Sequence, residues 1–331
     1  YSGELLSPFR KLIEREIQID IKQLWDEIAP LGPIAPQLIG LDKPKEYLVI
    51  FQNPAEARGT GGIIGLFAVV GLSPNGFSLK QVGSNSVLLS QDVIPLQMPR
   101  DYVELYGSDP AIWQNSNLSP HFPYAAEIYL ELYRIQFGRK LDGVIAVDPF
   151  VLKTLIRNIG QLSVNGVSIS EDNVIDWTLS KSYSYFDNNI EERKKFLVDL
   201  VTSVGTKLEN GDISTLSVMV DLVEPLLDHR VLFFSSDMNI QKNVMDSQVS
   251  GSLDLNNKSE FRLVIINTAG NKMDYYLERK VRVSHFGCRN KTKVVFSVKN
   301  NVDSETKLPN YVKGRLDRNR PEGIQNSHGI T

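Results

Sequence analysis

Residues 47–72, YLVIFQNPAEARGTGGIIGLFAVVGL, constrain the fold more than any other stretch of the chain. Tyr47 to Phe51 is a short run of β-formers, and Ile63 to Leu72 is a second run that is almost wholly apolar. A strand without a polar face is buried on both sides, so it belongs inside a sheet covered on both faces. Between the two runs stand Asn53, Glu56, Arg58, Thr60, Gly61 and Gly62. A chain that leaves a core, makes a polar turn and re-enters it puts those groups at a strand end, where α/β proteins place ligands. Glycines there let backbone approach an anion closely, and free N–H groups can cradle it. Arg58 offers a planar fork of donors matched to carboxylate or phosphate. The same residues also suit a tight hairpin closed by a Glu56–Arg58 surface pair. Gly59-Thr60-Gly61-Gly62 lacks the G-K-[ST] ending of a phosphate loop, so both readings stand.

The chain has 331 residues, room for one large domain or two ordinary ones, and a formal net charge of −3. Without a basic excess, nucleic acid is not the expected partner. A single cysteine, Cys288, excludes a disulfide within the chain and any Cys-rich metal site. That suits a cytosol, and equally a Gram-positive-type envelope that uses no disulfides. No run of about 18 apolar residues occurs, so no membrane-spanning helix is expected here. The chain opens at Tyr1 rather than Met, and an upstream signal or anchor is expected.

Hydrophobic spacing predicts a helix over residues 4–28, ended by the Pro and Gly residues from Pro30 to Pro44. A third strand is predicted from Phe77 to Val82, and a loop from Pro95 to Pro110. Trp113 to Pro123, WQNSNLSPHFP, is aromatic, polar and rich in proline, so it reads as an ordered loop. It either covers the core or forms a cavity wall, with Asn117 as a candidate ligand-binding residue. A helix follows from Pro123 to Gly138. Leu141 to Val147 reads as a buried strand, and Asp148-Pro149 as the cap and first residue of a helix to Ile159. With Leu162 to Val164 as the next strand, the order suggests a crossover unit in a sheet. Asp148 at that strand end is a cap, and also a candidate acid or base.

Glu191 to Leu208 is an amphipathic helix with Arg193, Lys194 and Lys195 near its start. Cations are mildly unfavourable at a helix N-terminus, so three together suggest either a solvated face or a nearby anion. Further helices are predicted over Ile213 to Leu227 and Met238 to Val249, with a buried strand from Val231 to Ser235 between them. From Leu253 the pattern changes to β-type runs: Phe261 to Ile266, Tyr275 to Ser284 and Lys293 to Val298. The four histidines show no metal-ligand spacing, and neither a G-x-S-x-G elbow nor a G-x-G-x-x-G after a strand appears.

FQNPAEARGTGGIIG resembles the N-x-A-E-x-R-x-T-G-G-F-I-G motif of the domain-of-unknown-function 4012 family. WQNSNLSPHFPYAAE, DGVIAVDP, ERKKFL, NTAGNKMDYYLERKV and LPNYVKG resemble its further motifs in the same order, from about Gly40 to Gly314. Members of that family are bacterial envelope proteins, typically with a membrane anchor ahead of this region. The order of elements is distantly similar to the LytR-CpsA-Psr domain, whose members move a glycopolymer from a polyprenyl pyrophosphate carrier onto peptidoglycan.

That resemblance implies a three-layer α/β/α sandwich with a mixed central sheet over residues 46–251. Residues 1–45 would form an N-terminal helix and linker, and 252–331 a smaller all-β unit. It implies an extracytoplasmic, membrane-anchored protein whose partners are a polyprenyl-pyrophosphate-linked glycan and a wall acceptor such as peptidoglycan. Mg2+ is the cofactor it implies. Arg58 and Arg193 would clamp the pyrophosphate, with the amides of Gly61 and Gly62 and the side chains of Asn53, Thr60 and Asn117 as further ligand contacts. Glu56 or Asp148 would hold the cation or take a proton. The chain departs from the LytR-CpsA-Psr pattern at two places where that family has metal-binding acids: Thr60-Gly61-Gly62 and Gly83-Ser84-Asn85-Ser86 stand instead. Three readings therefore remain open: a glycopolymer phosphotransferase, a non-catalytic module that binds a polyprenyl-linked or glycan ligand, and a structural domain in which the Gly-rich turn is a fold requirement.

Overall fold

A computed structural model describes residues 29–91, 94–107, 112–187, 189–211, 221–253, 263–286, 291–302, 307–314 and 328–330. The helix expected over residues 4–28, and residues 213–220 of a later one, lie outside these.

The centre is a five-stranded mixed sheet in the order β3-β2-β1-β4-β7. β1 (Lys45–Asn53), β2 (Ile63–Ser73) and β3 (Gly76–Ser84) form an antiparallel meander. β4 (Gly143–Val147) lies parallel to β1, and β7 (Val231–Ser235) pairs antiparallel with β4. β1 and β2 are inner strands, which accounts for the unbroken apolar runs at residues 47–51 and 63–72 within them. Side-chain alternation divides the sheet into two faces. Leu48, Ile50, Phe67, Val69, Val144 and Ala146 pack in one cluster with α2 (Phe122–Phe137), through Ile128, Tyr129 and Leu132. Tyr47, Val49, Ala68, Val70 and Val147 face the opposite way, onto Val151 of α3 (Pro149–Ile159). α5 (Ile190–Glu209) lies on this second side, against β3 and α3. The result is the three-layer α/β/α arrangement, with both faces of the sheet dry.

Local chemistry sets the helix ends. Asp148 Oδ1 accepts from the Phe150 amide at 2.9 Å, and Pro149 occupies the first turn, where its missing N–H costs nothing. Asn189 caps α5 by accepting from Glu192 N at 3.2 Å, and Glu191 and Glu192 occupy the positive end of the helix ahead of the cations.

Three sequence expectations change. The Pro95 to Pro110 stretch is not all loop: Arg100–Tyr106 forms a helix, α1, that buries Tyr102. β5 (Leu162–Val164) does not join the central sheet as a crossover strand. Among the described residues it pairs only with β6 (Val167–Ile169), because Asn165 and Gly166 both adopt positive φ (49° and 80°) and turn the chain straight back. Ser170-Glu171-Asp172 reads as a helix start from sequence alone, but the helix begins at Val174 and contains a π-helical turn at Trp177–Lys181 before ending at Tyr185; this composite helix is α4.

Beyond α6 (Val223–Leu227) and α7 (Met238–Met245), the chain becomes β-rich, as its pattern suggests. β8 (Ile265–Asn267) pairs with β11 (His328–Ile330), and β9 (Leu277–Phe286) with β10 (Lys291–Asn300) in a separate two-stranded sheet. The beginning of this region is not set apart from the α/β core. Asn267 N donates to Ala57 O at 2.9 Å and Asp274 N to Ala55 O at 3.1 Å, so residues 267–274 are stitched onto the turn after β1.

Candidate functional site

The turn between β1 and β2 is closed around buried charge. Glu56 is 3% exposed and accepts from two cations: Arg58 Nη2 at 2.6 Å on Oε1, and Lys272 Nζ on Oε2. Arg58 also donates from Nη1 to the carbonyls of Ala57 (3.1 Å) and Asn267 (3.0 Å), and from Nε to that of Gln114 (3.4 Å). Asp274 accepts from Ala57 N at 2.7 Å and from Asn267 Nδ2 at 2.9 Å. Two acids and two bases, far apart in sequence, thus share one buried cluster. Burial lowers the affinity of the Arg58 guanidinium for its proton, and Asp274 opposes that. Burial likewise brings the Lys272 ammonium down to about 8, with Asp274 again opposing.

The glycine-rich part of the turn is engaged as well. Gly61 N donates to Arg58 O at 3.0 Å and Gly62 N to Gln52 Oε1 at 3.2 Å. The amides expected to cradle an anion therefore close the turn on itself. Thr60 Oγ1 accepts from Gln52 Nε2 (3.0 Å) and Asn117 Nδ2 (2.9 Å), and Asn117 also donates to Gly62 O at 2.9 Å. Asn117, wholly buried, fastens the Trp113–Pro123 loop to the turn. The glycines permit that approach: a Cβ at Gly59 would stand 2.2 Å from Leu118 O, and one at Gly62 2.3 Å from Asn53 C and O. Arg58, Thr60, Gly61, Gly62 and Asn117 thus belong to one packed, internally hydrogen-bonded turn.

Arg193 has a different setting. It is 7% exposed, and its guanidinium lies 4.3 Å from the Tyr183 ring centre and 5.5 Å from that of Tyr311. Among the described residues it has neither a carboxylate partner nor a hydrogen-bond acceptor. It lines a cavity of about 420 Å³ together with Asn53, Glu56, Lys194, Lys272 and Tyr311. Arg58 does not line this cavity, so the expected Arg58–Arg193 clamp is replaced by Arg193 facing the Glu56–Lys272 pair. Lys194 is loosely held, 3.9 Å from Glu191. Asn53 accepts from Ala55 N at 3.0 Å and donates to the Tyr183 hydroxyl at 2.8 Å, fixing the ring on which Arg193 rests. Burial raises the Tyr183 phenol, which keeps it protonated and neutral beneath the cation.

Asn53, Gly65, Leu66 and Leu197 line both this cavity and a second, apolar cleft of about 50 Å³ that continues to Leu152, Leu179 and Leu200. Asp148 lies at that cleft, away from Arg193. Its Oδ2 accepts from Arg230 Nη1 at 2.7 Å, and Arg230 stacks 3.7 Å from the Phe150 ring centre. Burial raises the Asp148 carboxyl, and Arg230 opposes the rise.

These residues do not fit a magnesium ion. Mg2+ takes oxygen ligands with little competing positive charge, yet both Glu56 oxygens already face cations and Asp148 is paired with Arg230. No group of three or more His, Cys, Asp or Glu side chains converges among the described residues.

Sequence reasoning found Asn53, Glu56 and Arg193 but not Tyr183, Lys272 or Tyr311, which complete the same cavity. The available signal was polar crowding in NTAGNKMD, where Asn267, Asn271, Lys272 and Asp274 are all buried. A turn of that composition needs partners from elsewhere in the chain.

No curated protein matches the chain. Among solved structures, protein gbs0355 from Streptococcus agalactiae overlaps with a TM-score of 0.36 at 14% identity, covering 66% of this chain and 76% of that one. The transcriptional regulator yvhJ from Bacillus subtilis overlaps with a TM-score of 0.27 at 12% identity, covering 77% of this chain and 90% of that one. The family model for "Protein of unknown function (DUF4012)" matches residues 42–183, which run from the start of β1 through the packed turn to Tyr183 beneath Arg193. Over those residues this chain is similar to the DUF4012 family.

Proposed function

We propose that this chain binds an amphiphilic phosphorylated ligand, of the polyprenyl-pyrophosphate-linked glycan class that the LytR-CpsA-Psr resemblance implies, as part of an extracytoplasmic envelope protein. The observation that carries this reading is Arg193, a cation withdrawn from water, without an anion of its own among the described residues, and facing a cavity. Burying an unpaired charge costs several kcal/mol, and stacking on a desolvated aromatic ring offsets only about 2 kcal/mol. A phosphate group in the cavity would remove the remaining deficit, with Lys194 beside it. The apolar cleft would take the start of the hydrocarbon tail. At about 50 Å³ it is far smaller than a polyprenyl chain, so tail entry requires α4 and α5 to part. The π-helical turn of α4, which lines the cleft through Thr178 and Leu179, is a suitable place for that movement.

The geometry supports binding better than transfer. A general base must be free to accept a proton, and both candidates are held by cations: Glu56 by Arg58 and Lys272, Asp148 by Arg230. The test is calorimetric titration with farnesyl pyrophosphate, for the native chain and Arg193→Gln. Loss of a charge-assisted contact should weaken binding about 10- to 100-fold. Equal affinity in both would remove Arg193 from the site. Phosphate-linked product from a polyprenyl-pyrophosphate glycan and peptidoglycan would replace binding with transfer.

A further inference from the structure

The β9–β10 ribbon carries a separate inference. Its sequence, residues 277–300, holds seven Lys or Arg and one Glu, in a chain whose net charge is −3. Among the described residues the two strands pair only with each other, in full register from Leu277↔Asn300 to Phe286↔Lys291. Register assigns the faces. Val281 and Val283 lie on one face with Val298, at exposures of 56%, 52% and 49%. Lys280, Arg282 and Lys293 lie on the other, also exposed, and Phe286 is 52% exposed. A two-stranded ribbon that exposes three valines on one face, beside Arg279, is marginal in water.

We infer that this ribbon docks on an anionic lipid surface. Charge complementarity selects an anion, and the valines select among anions. A hydrophilic polyanion would satisfy the cations and leave Val281, Val283 and Val298 wet. A second copy of the ribbon would bring like charges together. A bilayer interface accepts both: short apolar side chains enter the acyl boundary, while long Lys and Arg stems reach headgroup phosphates around a thin, twisted ribbon. The ribbon is also rooted in the wall of the Arg193 cavity. Gly270 and Lys272 precede it, Tyr311 follows it, and Asn301 N closes its base on Tyr276 O at 2.9 Å. Docking would hold that cavity close to the lipid surface. The inference does not depend on what the cavity binds.

The experiment is vesicle flotation of the full chain with phosphatidylcholine alone, and with about a third phosphatidylglycerol, at low and high salt. Expected is binding only to the anionic vesicles, weakened by salt. Lys280→Glu/Arg282→Glu/Lys293→Glu should reduce partitioning at least ~100-fold, at about fivefold per cation. Val281→Thr/Val283→Thr/Val298→Thr, which keeps β-propensity, should reduce it ~10-fold or more. Unchanged circular dichroism and thermal midpoint would show that these variants still fold. Wild-type chain that ignores anionic vesicles overturns the inference. So does a valine variant that binds as well as wild type, which would leave a polyanion as the partner.

Discussion

Glu56→Gln tests whether the turn after β1 is a packed structural unit or a loose catalytic loop. Glu56 sits at 3% exposure between Arg58 (9%) and Lys272 (7%), with Asp274 (4%) close by. Replacing it with a neutral isostere leaves two buried cations facing one acid. Removing one partner of a buried ion pair costs about 3–5 kcal/mol, because the remaining charge is stranded. A domain has only about 5–15 kcal/mol of stability, so the variant should fall by ~10 °C in thermal midpoint. Thermal and urea unfolding followed by circular dichroism read this directly. Lys272→Met should restore part of the loss in the double variant, since it removes one stranded cation. A coupling of at least ~1 kcal/mol between the two positions is expected. A Glu56→Gln chain within about 0.5 kcal/mol of wild type would mean that the carboxylate sits in a surface-like setting, and the reasoning would fail.

Lys272 should also leave a pH signature. Burial lowers its ammonium from 10.5 to about 8. Between those values the unfolded chain keeps a proton that the folded chain has released, so stability should rise with pH from 8 to 10.5. Below that window the burial penalty is present in full. The unfolding free energy of wild type minus that of Lys272→Met isolates this group, and a difference that is flat or falls with pH rejects it. Gly62→Ala should destabilise by more than the usual ~1 kcal/mol, because its Cβ would meet the Asn53 backbone at 2.3 Å; a normal melting temperature would show that the turn can yield. Arg58→Lys should lower stability and leave farnesyl pyrophosphate affinity within a few-fold of wild type, the reverse of Arg193→Gln. If Arg58→Lys instead loses the ligand at unchanged stability, the two arginines have exchanged roles.

Much of the architecture was legible because it follows from short-range patterns. The all-apolar run from Ile63 to Leu72 demanded an inner strand, and Asp148-Pro149 marked a helix start at the end of β4. The spacing of Phe196, Leu200, Val201 and Val204 showed which face of α5 turns inward. The sequence also singled out Arg193, since cations clustered near a helix start call for a reason. What it left open was partnership. Arg58 and Arg193 look alike as residues, two guanidiniums near apolar runs, and nothing local separates one with all three side-chain nitrogens engaged from one with none engaged among the described residues.

That distinction comes from residues 267–274, which return more than 200 positions later to lay Asn267, Lys272 and Asp274 against the turn. Hydrogen bonds and ion pairs depend on positions in space, and a chain's periodicity encodes only which way each side chain faces along its own element. So the sequence alone determined the layers, the strand ends and the candidate cations. Tertiary structure alone decided that Glu56 and Lys272 neutralise each other beside the cavity while Arg193, stacked on Tyr183, is left facing into it.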